Sequence, residues 1–450
     1  MGKFPGGKSG ATPAGEAPAK RMTPHLGGSR IIEAARGPVM AIAVTCGIAL
    51  YLAYHVAQFR FSSVWPPALR NDAGIDYRVT QIIFQTGAYP TDTIFPFSPS
   101  GVLIFCALGI AGPTVFMTMW YVLMVSGLVV TLRAALAQEG HGIRDSWLVI
   151  GAVAILCADA PVSWDLRNAN SNLIYLGLVM AGYGLLGRLP VLAGTLIGLS
   201  VSLKLYSALL MVWLLANGPR RAAGAAVATF VILWAVLPVA LFGTGQALTL
   251  YAGWIEQLKT VSDPTVHANL VAQDSPVPLV TLRKAVVNLS GGTFESAATV
   301  AWLSTLWAIW TVGLAWYAWR CRGAFPVAVP SRAALVDWIV LLLAPLPFSP
   351  WLEPYHFVPL LVGALICTSI ALDEKMARSD RMTVLLALAM LLLFIVVKVP
   401  FRVRGLGLGA QALVFVLALG FLRPRLRRQA EESTEEGRSV QCGSVARAED

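Results

Sequence analysis

From Pro38 to Leu422 the chain alternates long apolar runs with short polar connections. The runs at 39–57, 101–136, 146–161, 172–187, 189–203, 205–217, 222–245, 296–318, 333–348, 355–372, 383–397 and 405–422 predict helices. A hydrocarbon core of roughly 30 Å takes about 20 apolar residues per helical crossing, so about twelve crossings are expected. The 101–136 run is too long for one, and Gly112-Pro113 marks a break inside it. Two longer connections, 58–100 and 245–295, carry helical periodicity of their own. The first has Ile75, Val79, Ile82 and Ile83, with Asp72 as N-cap and Gly87 as stop; the second has Leu248, Tyr251, Ile255 and Leu258 beside Trp254. Both predict amphipathic helices lying in the membrane interface. The expected fold is therefore all-α, a polytopic transmembrane helix bundle over 38–422. Polar tails at 1–37 and 423–450 are expected to be disordered.

Composition rules out a soluble reading. Of 450 residues, 56% are hydrophobic and 13% charged, against about 25% charged in soluble domains, and the mean hydropathy is +0.67. A net charge of +10 would suit nucleic acid, but the basic residues flank apolar runs and so report topology. Lys20, Arg21, Arg30 and Arg36, then Arg220 and Arg221, Arg320, Arg322 and Arg332, and Lys375, Arg378 and Arg381 fall in alternate connections. Placing all of them in the cytoplasm puts both termini on the cytoplasmic side of the inner membrane and sends 58–100 and 245–295 to the exterior. Only the connection with Lys398, Arg402 and Arg404 breaks the rule. No signal-peptide cleavage site precedes the first run, so that helix is expected to stay attached. The six cysteines show no ligand spacing and read as small core residues, and five scattered histidines offer no zinc site.

Several polar residues interrupt this pattern near the outer face. Asp76, followed by Tyr77, lies on the flank of the first amphipathic stripe, at the boundary of bundle and water. It is either a general base toward a hydroxyl or a first-turn charge favoured by the helix dipole. Lys204 stands in a turn between two short apolar helices, where an ammonium costs on the order of 3 kcal/mol at membrane depth. It either binds phosphate or snorkels. Within 165–172, Asn168, Asn170 and Asn172 present amides suited to sugar hydroxyls, although capping of the next helix by Asn170 or Ser171 explains part of the pattern. His356, three residues after Glu353, sits at a membrane mouth, where acid/base chemistry, a phosphate contact or a plain interfacial role are all open. The segment 269–283 adds Gln273, Asp274, Ser275 and Arg283 as further polar contacts or as an ordinary loop. Nucleotide-binding and hydrolase motifs, GxGxxG, GxSxG and HExxH among them, are absent.

The order of these features resembles the GT-C superfamily of membrane glycosyltransferases, and within it the GT87 family. Asp76-Tyr77, Gly87-Ala88-Tyr89-Pro90 and Phe97-Ser98-Pro99 are similar to that family's first outer loop. Asn168 to Asn172 is similar to its Asn-Gly-Gln-x-Asn element, with Ala169-Asn170 in place of Gly-Gln. Lys204 is similar to its apolar-helix lysine, Gln273-Asp274-Ser275 with Arg283 to its Asn-Gln-Ser…Arg loop, and Ser349-Pro350 with Tyr355-His356 to its Ser-Pro…His-His element. The resemblance implies inverting sugar transfer from a polyprenyl-phosphate donor to an acceptor hydroxyl outside the cytoplasm. It implies Asp76 as base, and Lys204, His356 and Arg283 around the donor phosphate. Tyr77, Asn168, Asn170, Asn172, Ser275 and Glu353 would contact substrate. Mannose is the sugar it suggests, with arabinofuranose as competitor, and a glycolipid or lipid-linked glycan the acceptor; no metal, cofactor or nucleic acid is implied. The alternative is a secondary transporter or lipid flippase, which would also use an intramembrane lysine and mouth-facing carboxylates.

Overall fold

The computed structural model describes residues 50, 71–90, 95, 97–137, 147–262, 297–320, 331–348, 354–373, 376–396, 411–426 and 428–429. Among the described residues every regular element is a helix: α1 (Asp72–Thr86), α2 (Pro99–Gly109), α3 (Pro113–Leu136), α4 (Trp147–Cys157), α5 (Asp159–Asn168), α6 (Asn172–Leu185), α7 (Pro190–Leu203), α8 (Ala208–Asn217), α9 (Arg220–Val231), α10 (Leu237–Phe242), α11 (Thr244–Ser262), α12 (Ala297–Arg320), α13 (Arg332–Leu343), α14 (Leu360–Leu372), α15 (Arg378–Val396) and α16 (411–426). The expected first span, 39–57, lies outside them except for Leu50, as do the tail 1–37 and the Lys398–Arg404 connection. Of the tail at 423–450, expected to be disordered, residues 423–426 and 428–429 are helical instead, because Arg423 and Arg425 pair with buried carboxylates of the bundle.

Proline, glycine and short polar side chains set the boundaries. Pro99, Pro113 and Pro190 open helices at the first turn, where the missing N–H costs nothing. Gly112, at φ 95, makes the break expected inside 101–136. Gly87 ends α1 at φ 70 with its N–H on Ile83 O, as the sequence predicts. The run 146–161 divides at Ala158 into α4 and α5, and 355–372 begins as a 3-10 turn, Pro354–Phe357, before α14. Between α9 and α10 the backbone widens into a π turn, Ile232–Val236. Pro238 has no N–H to return to the Trp234 carbonyl, and the Tyr251 hydroxyl donates to it instead.

Helices α3, α6, α7 and α9 pack in a row, brought to backbone contact by glycine. A Cβ on Gly177 of α6 would lie 2.4 Å from Gly127 Cα of α3, and one on Gly194 of α7 would lie 2.0 Å from Ala222 O of α9. Small residues let helices approach closely where lipid removes the hydrophobic drive to pack. Helix α14 packs on α4 and α15, and α8 on α12. Two helices, Pro113–Leu136 and the continuous Arg220–Phe242, are long and apolar enough to cross a membrane among the described residues. Large apolar side chains face outward, among them Val236, Leu241, Ile309, Val312 and Trp316.

The stripe of α1 needs correction, and that of α11 faces away from the bundle. In α1 the buried face is Ala73, Gly74, Asp76, Val79, Thr80 and Ile83, while Ile82 is exposed. In α11, Ala247 and Leu250 are buried and Leu248 and Ile255 point outward. The reason lies in the loop before α2. Gln246 donates to Gly87 O, Gln257 donates to Pro90 O at 2.8 Å and accepts from Phe95 N at 3.0 Å, and Gly253 seats the Tyr89 ring. Polar anchoring to that loop, rather than apolar moment alone, sets the rotation of α11.

Candidate functional site

Helix α1 brings its carboxylates to the bundle interior. Asn71, not Asp72, is the N-cap: its side chain accepts from Gly74 N at 2.9 Å. That leaves Asp72 in the first turn, where it accepts from Asn170 Nδ2 at 2.8 Å and hydrogen-bonds Tyr355. One turn on, Asp76 is buried at 5% exposure rather than standing at the boundary with water. Its Oδ2 has no hydrogen-bond partner. Burial drives the Asp76 carboxyl well above the usual carboxylate range; Asp72 pushes the same way and Lys204 opposes. Burial also raises Asp72, against Asn170, Lys204 and Tyr355.

Lys204 stands where α7 ends, its backbone extended at φ −140 and ψ 104 before the 3-10 turn Leu205–Ser207, as expected of a turn between short helices. Its ammonium donates to Asn170 Oδ1 at 3.3 Å and lies 4.9 Å from the centre of the Phe97 ring, a cation–π contact. Phe97 is placed by the Tyr89 hydroxyl, which donates to Phe97 O at 2.9 Å.

The asparagine segment turns on one residue. Ala169 adopts φ 50, the only positive φ of a non-glycine among the described residues. Trp120 Nε1 holds the turn by donating to Ala169 O at 2.7 Å. The turn delivers Asn170 to Asp72 and Lys204. Asn172 Nδ2 donates to both Asn170 Oδ1 and Asp165 Oδ1, each at 2.8 Å, and Asn172 Oδ1 accepts from the Tyr206 hydroxyl at 3.1 Å. Capping of α6 falls neither to Asn170 nor to Ser171: Asp165 accepts from Asn172 N at 3.3 Å and Leu173 N at 2.9 Å, and Ser171 makes no side-chain cap bond. Burial pushes the Asp165 carboxyl up to about 7 against these hydrogen bonds.

The turn carrying His356 packs on α5. The His356 ring lies 4.7 Å from the Tyr355 ring and 6.5 Å from that of Tyr206, centroid to centroid. The structure thus unites Asp76, Lys204, Asn170, Asn172 and His356 through Asp72, Tyr355 and Tyr206. Tyr77 packs instead against Phe116, ring centres 5.2 Å apart, and over Gly109. Asn168 is half-buried in the last turn of α5 and joins none of the described hydrogen bonds. Arg283, Ser275 and Glu353 lie outside the described residues, as do Gln273, Asp274, Ser349 and Pro350. Sequence reasoning gave Asp165, Tyr206, Tyr355 and Phe97 no role at the cluster. Tyr355 carried a signal, since it stands where the family pattern has histidine; the aromatics in apolar runs carried none. No group of three or more His, Cys, Asp or Glu able to hold a metal occurs among the described residues.

The Lys204 ammonium, held by the Asn170 oxygen, suits an anionic headgroup, and a buried carboxylate with one unpartnered oxygen suits proton acceptance from a hydroxyl. The sequence profile described as Glycosyltransferase family 87 matches residues 95–350, more than half of the chain. No curated protein matches. Among solved structures, ArnT from Cupriavidus metallidurans in the apo state is similar at 14% identity and a TM-score of 0.35, over 86% of this chain and 78% of that one. The same protein bound to undecaprenyl phosphate is similar at 14% identity and a TM-score of 0.34, over 88% and 80%.

Proposed function

The chain belongs to glycosyltransferase family 87, and we propose that residues 38–422 form an inverting transferase that takes its sugar from a polyprenyl-phosphate donor, with Asp76 as general base. The reading places the reaction at the outer face of the cytoplasmic membrane, with both termini inside. Mannose is the proposed sugar, and a glycolipid or lipid-linked glycan the acceptor. The observation that carries it is the unpartnered Asp76 Oδ2, buried one helical turn from a carboxylate already tied to Asn170 and in electrostatic reach of Lys204.

The chemistry needs one base. Phosphate leaves as a stable anion, so no second carboxylate need protonate the leaving group, unlike glycoside hydrolysis. Asp76 takes the proton of the acceptor hydroxyl as its oxygen attacks the anomeric carbon, the bond from that carbon to the donor phosphate breaks, and configuration inverts. Lys204, with Arg283 and His356, offsets the charge left on polyprenyl phosphate.

Purified protein incubated with polyprenyl-phosphate mannose and a glycolipid extract should release polyprenyl phosphate, followed by chromatography, with the arabinofuranose-linked donor run in parallel. Asp76→Asn should lower that rate by roughly 10²–10⁴-fold, the usual worth of a general base, while folding stays intact. Turnover by Asp76→Asn at the wild-type rate removes the base; no release from any polyprenyl-phosphate sugar removes the function.

A further inference from the structure

Asp165 belongs to no part of the transfer mechanism above, yet it is fully buried and receives three described hydrogen bonds of the asparagine segment. Asn172 Nδ2 and N both reach its Oδ1, and Leu173 N reaches its Oδ2. Asn170 N also bonds Asp165 O at 3.1 Å, which closes the turn through Ala169. From this carboxylate a line of side-chain hydrogen bonds runs to the cation, Asp165 to Asn172, Asn172 to Asn170, Asn170 to Lys204, and Asn170 Oδ1 also accepts from Ser171 N at 2.8 Å. A branch leaves Asn170 for Asp72.

We propose that Asp165 is a positioning residue: it fixes the Asn172 amide so that Asn170 presents its oxygen to the Lys204 ammonium and its nitrogen to Asp72, and thereby sets where the ammonium stands. Two features support this over a purely structural cap. Backbone capping of α6 uses Asn172 N and Leu173 N, but the Asn172 side-chain amide is spent on Asp165 and Asn170 together, which capping does not require. The Asn172 amide is also fixed in orientation, because its oxygen is already taken by Tyr206. A flipped amide would set its oxygen against the Asp165 and Asn170 oxygens.

Asp165→Asn is the informative change, since its amide nitrogen sets a donor against either the Asn172 amide or Leu173 N and leaves the two to compete for a single neutral acceptor. The first readout is independent of transfer: competitive labelling of Lys204 by a small amine-reactive reagent, resolved by mass spectrometry on the full chain in detergent. Asp165→Asn and Asn172→Ala should each change Lys204 labelling several-fold, with Lys259 as internal reference. Unchanged labelling in both overturns the proposal. If Asp165→Asn fails to fold, Asn172→Ala, which leaves the backbone cap in place, decides alone.

The second readout rests on the function proposed above. Asp165→Asn should raise the donor KM several-fold more than it lowers kcat, and add little to that KM in a Lys204→Ala background. An additive loss in the double variant means that Asp165 acts elsewhere and overturns the proposal. Absence of transfer by the wild type would remove the glycosyltransfer reading while leaving the labelling result standing.

Discussion

The Asp76 carboxyl pays for its burial in a way that pH exposes. Because its proton is held more tightly than that of an ordinary carboxyl near pKa 4, transfer should rise along a limb whose midpoint lies above that value. A profile of kcat/KM against pH that bends near 4 contradicts the burial. The sign for stability follows. A carboxyl whose folded pKa is raised favours the neutral form in the fold, so stability is fullest below the unfolded value and is lost as pH rises through the folded one. Asp76→Asn should therefore melt higher than the wild type at pH 8, with the gap closing toward pH 4. Ala169 makes a second test. An L-residue at φ 50 costs about 1–2 kcal/mol, so Ala169→Gly should raise unfolding stability by about 1 kcal/mol in thermal melts without loss of the Trp120 contact. The family pattern's glycine at this place now has its physical cause. The places of Lys204, Asn170 and Asn172 were legible because polar groups in an apolar chain demand partners, whereas Asn168 joined none of them. Asp165 was not, because its role depends on a left-handed turn that an alanine does not announce.

At the scale of helices, most apolar runs became helices at close to their expected limits, since length and proline placement are local properties. Rotation about the helix axis was less legible. Periodicity grouped Leu248 and Ile255 on one stripe, and both face outward, but it gave no sign of the glutamines on the same helix that grip another loop. Helix contacts were not legible either, yet they yield a contrast on one element. Gly177→Ala in α6 would press a methyl 2.4 Å from Gly127 Cα, whereas the same change at Gly184 meets Ala134 Cβ at 4.0 Å, an ordinary contact. Thermal unfolding in detergent should show a loss of about 1–3 kcal/mol for the first, as overpacking gives. The second should show a small gain, about 0.5–1 kcal/mol, as glycine is poor in a helix interior. Equal effects would mean that α3 and α6 do not meet at these glycines.

Across the molecule, ion pairs tie together segments that the distribution of basic residues assigns to the cytoplasm. Arg332 pairs with Asp373 at 3.2 Å, Arg425 with Asp380, and Arg423 with the fully buried Asp337. Asp337 also accepts from Trp213 Nε1 and the Tyr317 hydroxyl, each at 3.4 Å. Arg423→Ala would leave that carboxylate without its cation, a change that costs about 3–5 kcal/mol when a buried pair is broken. Unfolding measurements should show it, and Asp337→Asn added to Arg423→Ala should recover much of the loss. The residue count of each apolar run foretold a bundle of helices; which distant termini would meet at Asp337 required the chain to be folded. One arrangement at the opposite kind of contact reaches further. Since Phe97 hangs in a loop clasped by the two glutamines of α11, and that helix turns Leu248 and Ile255 away from the protein, the floor beneath the ammonium is mounted on a float. Whatever tilts α11 thereby tilts the ring on which the cation rests.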